Sequence, residues 1–200
     1  MVDASSAGSS SNNSVFFIYL LFCIIVVLVY VQCVENLKNY RNLTDSAVMV
    51  NLKCVVHMVG DMHCPCHIFY TEFPDCFQGL TPGAKSRGFM TVYYEGKKTT
   101  YHAVWDGKSL LVLYPECGKD YELFRSKMDK CSAKQRAKIC EGSLGDWVSD
   151  AGKRCRPIYN GVEPNCNIDR NFLLRHRKIS EGQAMRSAYR IAHLLNEIFR

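Results

Sequence analysis

The sequence predicts an α+β protein, in which a single N-terminal transmembrane helix is followed by a small disulfide-rich domain with an antiparallel β-meander and two or more helices. Three observations predict this class. Residues 15–31 are apolar and carry no charge, ten of the eleven cysteines follow that run, and residues 89–114 alternate β-rich segments with turn residues. A high density of cysteines in a small domain usually indicates disulfides that form in an oxidising compartment.

The apolar run is long enough to be a membrane anchor. At about 1.5 Å per residue, residues 15–31 approach the length that crosses a hydrocarbon core of about 30 Å, and the following residues can extend the helix to residue 34. A soluble core helix would need a polar face, which the run lacks. The alternative is a cleaved signal peptide, with an acceptable cleavage site at residues 31–33, but residues 1–14 contain no Lys or Arg. We therefore predict an uncleaved helix over residues 15–34.

Two signals disagree about which side of the membrane the C-terminal part occupies. Lys38 and Arg41 follow the span, which by the positive-inside rule favours the cytoplasm. The cysteines favour the outside of the cell, and we give them more weight because the charge difference is small. The prediction is a single-pass plasma-membrane protein with an extracellular C-terminal domain, and Asn42 is a glycosylation candidate. The disulfide candidates are Cys33, Cys54, Cys64, Cys66, Cys76, Cys117, Cys131, Cys140, Cys155 and Cys166.

The predicted domain organisation follows from composition. Residues 1–14 are rich in Ser, Ala, Gly and Asn and form a disordered tail, because they contain too little apolar surface to fold. The transmembrane helix over residues 15–34 is followed by a juxtamembrane linker over 35–46. A disulfide-rich extracellular domain covers residues 47–171, and a C-terminal amphipathic helix covers 172–200. That helix either packs on the domain or lies on lipid or a partner as a basic surface helix.

Local patterns predict the elements of the domain. The β-branched residues 47–58 indicate a strand. Residues 89–94, 99–105 and 109–114 are the three strands of the meander, separated by a turn after residue 94 and by an Asp-Gly turn at 106–107. Residues 120–128 begin a helix that continues towards Cys140. Residues 141–171 are punctuated by Gly, Pro and Asn and indicate a loop.

No motif gives positive support for catalysis. The stretch His63-Cys64-Pro65-Cys66-His67 contains metal-ligand residue types, but one residue between the cysteines strains a chelate and no second pair is recognisable. Structural disulfides from Cys64 and Cys66 are the preferred interpretation, so we expect no metal, no cofactor and no enzymatic activity. An enzyme would become the better hypothesis if His63, Cys64, Cys66 and His67 converged around an open pocket. The formal charge of +6 comes from scattered Lys and Arg, so we expect neither nucleic acid nor a small-molecule substrate as partner.

The order of features in the middle of the chain resembles the auxiliary β-subunits of large-conductance calcium- and voltage-activated potassium channels, and related insect sodium-channel auxiliary subunits. The resemblance covers residues 47–140. It uses Cys54 as the opening cysteine and Cys64 with Cys66 as the cluster. The further matching segments are Phe73-Pro74-Asp75-Cys76, Tyr114-Pro115-Glu116-Cys117-Gly118-Lys119-Asp120-Tyr121-Glu122 and Cys140. Members of that family cross the membrane a second time, whereas residues 141–200 contain no second apolar span, so the resemblance implies a single-pass version.

The resemblance implies an auxiliary subunit that modulates the gating or surface expression of an ion channel, most directly a calcium-activated potassium channel. Its partners would be the channel pore subunit and the lipid bilayer. A gating effect would require different affinities for the open and closed channel. The contact candidates are Tyr19, Tyr30, Phe69, Tyr70, Phe73 and Phe77, but for the last four burial in the domain core is the preferred role. The alternative is an anchored or shed extracellular ligand or receptor module unrelated to channels.

Overall fold

Helices dominate the part of the chain that the structure describes. The computed structural model describes residues 27–68, 70 and 90–200. Helix α1 covers residues 27–38 and α2 covers Asp45–His63. A hairpin of β1 (Thr91–Tyr94) and β2 (Lys97–Thr100) follows. Helix α3 consists of three consecutive pieces: Tyr101–Ala103, a π-helical turn Val104–Lys108, and Ser109–Leu113. The remaining elements are α4 (Tyr121–Met128), α5 (Ala133–Cys140), α6 (Leu144–Cys155), β3 (Asn167–Ile168), α7 (Arg170–Arg175) and α8 (Arg177–Ile198).

The chain divides between Val55 and Val56 into two compact units. Helix α1 and the first part of α2 belong to the first unit, and every described element from residue 56 onwards belongs to the second. Within the first unit, the side chain of Asn36 donates a hydrogen bond to Asn51 over 3.0 Å, which ties α1 to α2. The candidate functional residues discussed below all lie in the second unit.

Helix α2 replaces the strand predicted over residues 47–58. The β-branched composition suggests a strand, but the buried positions Asn51, Val55, Val59 and His63 recur every four residues, which is a helical spacing. Thr44 caps the helix by accepting a hydrogen bond from the backbone N–H of Ala47 over 3.3 Å. One continuous buried stripe therefore outweighed the local β-propensity.

The predicted three-stranded meander is wrong in its third strand. Strands β1 and β2 pair antiparallel through a turn at Glu95 and Gly96, both of which have positive φ. The side chain of Thr100 then accepts a hydrogen bond from the backbone of Ala103 and starts α3, so the rest of the meander is helical. The third strand of the sheet is β3, which lies parallel to β1 on the side opposite β2.

Helix α6 lies within the predicted loop over residues 141–171. Ser143 and Asp146 form a capping box, in which each side chain satisfies the backbone N–H of the other residue. The buried residues Trp147, Ala151 and Cys155 then follow at four-residue intervals. The prediction of an α+β domain is therefore wrong: the described residues form a mostly helical protein with one small sheet.

The main core of the second unit surrounds the sheet and α3. Its centre contains Tyr101 and Tyr159, whose rings meet edge to face at 5.8 Å. The hydroxyl of Tyr101 donates to the carbonyl of Ile158 over 2.5 Å, and the hydroxyl of Tyr159 donates to Pro65 over 3.2 Å. These two bonds fix α3 and the turn at Pro65 to the same region of the core. The other buried members are Cys66, Tyr70, Met90, Val92, Tyr94, Val104, Trp105, Ile158, Val162, Ile168 and Leu173.

The predicted transmembrane helix finds no support in the described residues. None of the helices described there combines the length and apolar character that crossing a membrane requires. Residues 15–26 of the predicted span lie outside the described part of the chain, and residues 27–34 belong to α1. In α1, Tyr30, Cys33 and Leu37 are buried while Leu28 is exposed, so one side of this helix is packed and the other is not.

Candidate metal centre

Two His-x-x-x-Asp pairs provide the polar side chains of the site. His57 and Asp61 lie on α2, and His102 and Asp106 lie on α3. Residues four apart in a helix share one face, so each helix presents an imidazole beside a carboxylate. Asp106 belongs to the π-helical turn, a rare local structure that is frequently found at functional sites. The Nε2 atom of His57 is 3.2 Å from Oδ2 of Asp61.

A short turn after α2 places His67 between these pairs. Residues Pro65–His67 form a 3₁₀ turn, and Pro65 occupies the first position, where its fixed φ suits the turn and no N–H is needed. The backbone N–H of His67 donates to the carbonyl of Cys64 over 3.0 Å, which closes the turn. Pro65 is buried under the hydroxyl of Tyr159, so the core holds the turn and with it the imidazole of His67.

The imidazole of His67 contacts residues from both pairs. Its Nδ1 is 3.4 Å from Oδ2 of Asp61, and its Nε2 is 3.8 Å from Oδ1 of Asp106. The same Nε2 is 2.6 Å from Nε2 of His102, and the two rings are stacked with centroids 4.6 Å apart. Three imidazoles and two carboxylates therefore form one cluster, which we call the His/Asp cluster: His57, Asp61, His67, His102 and Asp106.

The His/Asp cluster stabilises a positive charge. Burial would lower the pKa of His67, but hydrogen bonds to Asp61 and Cys64 outweigh it and raise the pKa to about 10. Burial lowers the pKa of His102, and the charge of His67 lowers it further. Burial would raise the pKa of Asp61, but the bond from His67 and the nearby imidazoles lower it instead. This environment favours the protonated form of His67, which lies between the carboxylates of Asp61 and Asp106.

The donor set suits a divalent transition metal. Neutral imidazole and carboxylate are the usual ligands of zinc and similar ions in catalytic sites. A bound ion would replace the extra proton of His67, because imidazole ligands bind in the neutral form. Cys64 adds a third kind of donor, since ligand atoms of Cys64, His67 and Asp106 all lie within 4.8 Å of one another. The cluster is partly open to solvent: the side chains of His57, Asp61 and Asp106 are 76%, 38% and 51% exposed.

His63 and Cys66, both part of the cysteine-rich stretch, point away from the cluster. His63 is 2% exposed and lies on the buried stripe of α2. Its Nδ1–H donates to the carbonyl of Val59 over 2.7 Å, and its Nε2 accepts from Arg190 over 2.8 Å. Cys66 lies in the main core, where its thiol contacts the carbonyl of Tyr101. The structure thus brings Cys64 and His67 to the site and turns their neighbours towards the interior.

A buried network behind the cluster fixes the end of α2. Arg190 of α8 is 4% exposed, and besides His63 it binds the carbonyl of Ile139 over 2.9 Å and the carboxylate of Asp150 over 3.3 Å. Its guanidinium also stacks on Trp147, with 5.1 Å to the ring centroid. Each guanidinium nitrogen of Arg190 thus has a hydrogen-bond partner, and the network acts as a structural support for the turn that carries His67.

A groove of about 680 Å³ lies elsewhere, between α5, α6 and α8. None of its lining residues belongs to the His/Asp cluster. Arg154, Arg186 and Arg190 converge there on the single carboxylate of Asp150. We attach the functional site to the His/Asp cluster, because that is where donors for a metal ion converge.

The other predicted site residues are dispersed. Tyr30 and Tyr70 are buried, and the hydroxyl of Tyr70 donates to Gly152 over 2.6 Å, while the other contact candidates Tyr19, Phe69, Phe73 and Phe77 lie outside the described residues. Asn42 is exposed at the end of a 3₁₀ turn, where a glycan could be attached. Its glycosylation stays a prediction.

The disulfide framework also stays a prediction. Cys33 is hydrogen-bonded to Cys54, and burial raises its pKa to about 11. The thiol of Cys131 donates to the sulfur of Met185 over 3.6 Å, and that of Cys140 donates to the carbonyl of Tyr189 over 3.5 Å. Cys117 is buried in a smaller cluster, the backbone carbonyl of Cys166 accepts from Tyr93, and Cys76 lies outside the described residues.

A mostly helical fold that presents imidazole and carboxylate side chains from two helices and a connecting turn is typical of a metalloenzyme. The family model described as S1/P1 Nuclease matches residues 23–200 of this chain. The chain therefore belongs to the S1/P1 nuclease family. A comparison with curated proteins gives no match.

Membership of this family corrects several expectations. The resemblance to potassium-channel β-subunits is wrong, and with it the function as a channel auxiliary subunit or unrelated surface module and the partnership with a channel pore. The exclusion of enzymatic activity and of nucleic acid as a partner is wrong too, because the family is one of nucleases. The predicted plasma-membrane location and lipid partner rested on the cysteines and on an apolar span, and the described helices supply no such span.

Sequence reasoning missed four of the five cluster residues because it examined only the cysteine-rich stretch. The available signal was the repeated His-x-x-x-Asp spacing at residues 57–61 and 102–106. The predicted strands over residues 47–58 and 99–105 contain His57 and His102 but end before Asp61 and Asp106, so they do not place both members of either pair on one element. The wrong secondary-structure prediction therefore left His57, Asp61, His102 and Asp106 unrecognised as site residues.

Proposed function

We propose that this chain is a metal-dependent nuclease that hydrolyses phosphodiester bonds of nucleic acids at the His/Asp cluster. The observation that carries the proposal is the convergence on His67 of residues from two helices: Asp61 from α2, and His102 and Asp106 from α3. The family to which the chain belongs supports the choice of substrate. This replaces the expectation of a chain without a metal site.

Each residue of the cluster has a definite task in this proposal. His67, His102 and Asp106 would hold one divalent ion, and His57 and Asp61 are donors for a second. When bound, such an ion lowers the pKa of a coordinated water to about 7 and polarises a phosphoryl oxygen. Asp61 contacts the imidazoles on both of its sides, so its carboxylate fixes their orientation.

The surroundings of the cluster suit a polymeric anion. The exposed His57 and Asp106 side chains leave the cluster open at the surface, so a long chain can approach without entering a closed cavity. The formal charge of +6 favours encounter with a phosphate backbone and makes binding sensitive to salt. We therefore expect the rate at low substrate concentration to fall as the ionic strength rises.

The test is cleavage of fluorescently labelled single-stranded DNA and RNA oligonucleotides by the full chain, together with the zinc content of the purified protein. We expect cleavage that stops with a chelator and returns with zinc. The variants His67→Ala, His102→Ala and Asp106→Asn should each lose more activity than the roughly 10- to 100-fold that follows loss of an outer-shell partner. They should also bind less zinc.

The matched control is His193→Ala. His193 forms a His-x-x-x-Glu pair with Glu197 on α8, with 3.4 Å between Nε2 and Oε1, so it resembles the pair His57–Asp61. Among the described residues, however, it is not part of a group of three or more metal donors. This variant should keep full activity and zinc content. Cleavage that resists chelation, or that survives the loss of His67 and His102, would overturn the proposal.

A further inference from the structure

Cys64 lies beside the His/Asp cluster, although the sequence pattern predicts a structural disulfide for it. It precedes the 3₁₀ turn Pro65–His67, and its carbonyl accepts the hydrogen bond that closes the turn. The thiol of Cys64 and the imidazole of His67 form a side-chain hydrogen bond, so both face the same side of the turn.

The distances place the thiol within reach of a shared ion. The ligand atoms of Cys64, His67 and Asp106 lie within 4.8 Å of one another. Zinc bonds measure about 2.3 Å to sulfur and about 2.0 to 2.2 Å to nitrogen or oxygen, so two ligand atoms of one tetrahedral ion are separated by roughly 3.5 Å. Small side-chain rotations would bring all three donors to one ion.

We propose that Cys64 is a thiolate ligand of the metal ion held by His67 and Asp106, an inference that rests on the proposed metal-dependent function. The thiol releases its proton to solvent as its sulfur forms the bond to the ion. Two residues separate Cys64 from His67, which is within the two to four residues that separate the paired cysteines of zinc sites. The mixed sulfur, nitrogen and oxygen donors select zinc or cobalt over magnesium, manganese or calcium, because thiolate is a soft ligand.

Cobalt(II) substitution tests the proposal by absorption spectroscopy. The protein is freed of metal with a chelator and loaded with cobalt(II) under a reductant, which keeps Cys64 and the neighbouring Cys155 as thiols. A thiolate ligand produces a sulfur-to-cobalt charge-transfer band in the near ultraviolet, whereas imidazole and carboxylate ligands give only the weak visible bands of the ion. We expect the near-ultraviolet band in the parent protein, and its loss with retention of the visible bands in Cys64→Ser.

Cys166→Ser is the matched control, since Cys166 is another half-buried cysteine of the same unit; it should keep the near-ultraviolet band. Zinc affinity in Cys64→Ser should fall by more than the roughly 10- to 100-fold that follows loss of an outer-shell partner, and X-ray absorption at the zinc edge should detect one sulfur neighbour only when Cys64 is present. Visible bands without the near-ultraviolet band in the parent protein would overturn the role of Cys64 and leave the metal-dependent nuclease standing. Failure of the parent protein to bind either metal would overturn both.

Discussion

Arg190 donates a hydrogen bond to Nε2 of His63 over 2.8 Å, and through it α8 supports the end of α2 where the cluster begins. His63 lies between Asp61 and Cys64 in the chain but faces the opposite way, into the buried network of Asp150 and Trp147. Within the cysteine-rich stretch, His63 therefore has a structural role, whereas Cys64 and His67 lie at the proposed metal site.

The first prediction concerns that buried charge. Arg190→Lys should lower the free energy of unfolding by about 3 kcal/mol, because a lysine cannot reproduce the three bonds that the guanidinium makes to Ile139, His63 and Asp150. Urea denaturation followed by circular dichroism measures the loss. The control is Arg154→Lys: Arg154 binds the same Asp150 over 2.7 Å but is 49% exposed, so less than about 1 kcal/mol should be lost. Equal losses in the two variants would contradict the structural role of Arg190.

The second prediction concerns the anchor of α3. Tyr101→Phe should destabilise the protein by about 1 to 2 kcal/mol, because it removes the hydroxyl that donates to the buried carbonyl of Ile158. Thermal and urea unfolding measure the change. The comparison variant is Tyr121→Phe, at a tyrosine that is 82% exposed, where no measurable loss is expected. If Tyr101→Phe were as stable as the parent, the bond that fixes the helix carrying His102 would be unimportant for folding.

The third prediction couples metal binding to stability. An ion that binds only the folded chain stabilises it by about 2.7 kcal/mol when its concentration is 100 times the dissociation constant. Zinc should therefore raise the unfolding temperature of the parent protein and of His193→Ala, and the chelator should reverse the rise. His102→Ala should show a much smaller rise, because it lacks one of the proposed ligands. Differential scanning fluorimetry over a series of zinc concentrations makes the comparison, and an equal rise in His102→Ala would show that zinc binds elsewhere.

The fourth prediction concerns Cys155 on α6. The side chain is fully buried, and burial together with the nearby Cys64 raises the pKa of its thiol to about 12. Because the thiolate is the reactive form, raising the pH from 7 to 9 should not make Cys155 react with iodoacetamide in the folded protein. Mass spectrometry of peptides from the labelled native protein measures this, with urea-unfolded protein as the fully labelled reference. Rapid labelling of the native protein at pH 7 would contradict the burial of this thiol.

Local chemistry explains the elements that depend on a few adjacent residues. The turn at Glu95 and Gly96 requires two positive φ angles, which glycine adopts readily, and the capping box of Ser143 and Asp146 starts a helix from side chains three residues apart. At residues 47–58 local chemistry gives the wrong prediction, because the β-branched side chains suggest a strand. There the burial of Val55 and Val59 on one helical stripe supplied more stabilisation than the strand preference of single residues.

By itself, the sequence determined the donors and their local spacing: the pairs His57–Asp61 and His102–Asp106, and Cys64 two residues before the dipeptide Cys66-His67. Only the tertiary structure decided which of them meet. His63 and His67 are both histidines of one short stretch, yet the first continues the buried stripe of α2 and the second follows a turn fixed beneath Tyr159. Residues separated by 35 positions, such as His67 and His102, become neighbours through core packing. That packing depends on many buried side chains at once, so no local sequence pattern predicts it.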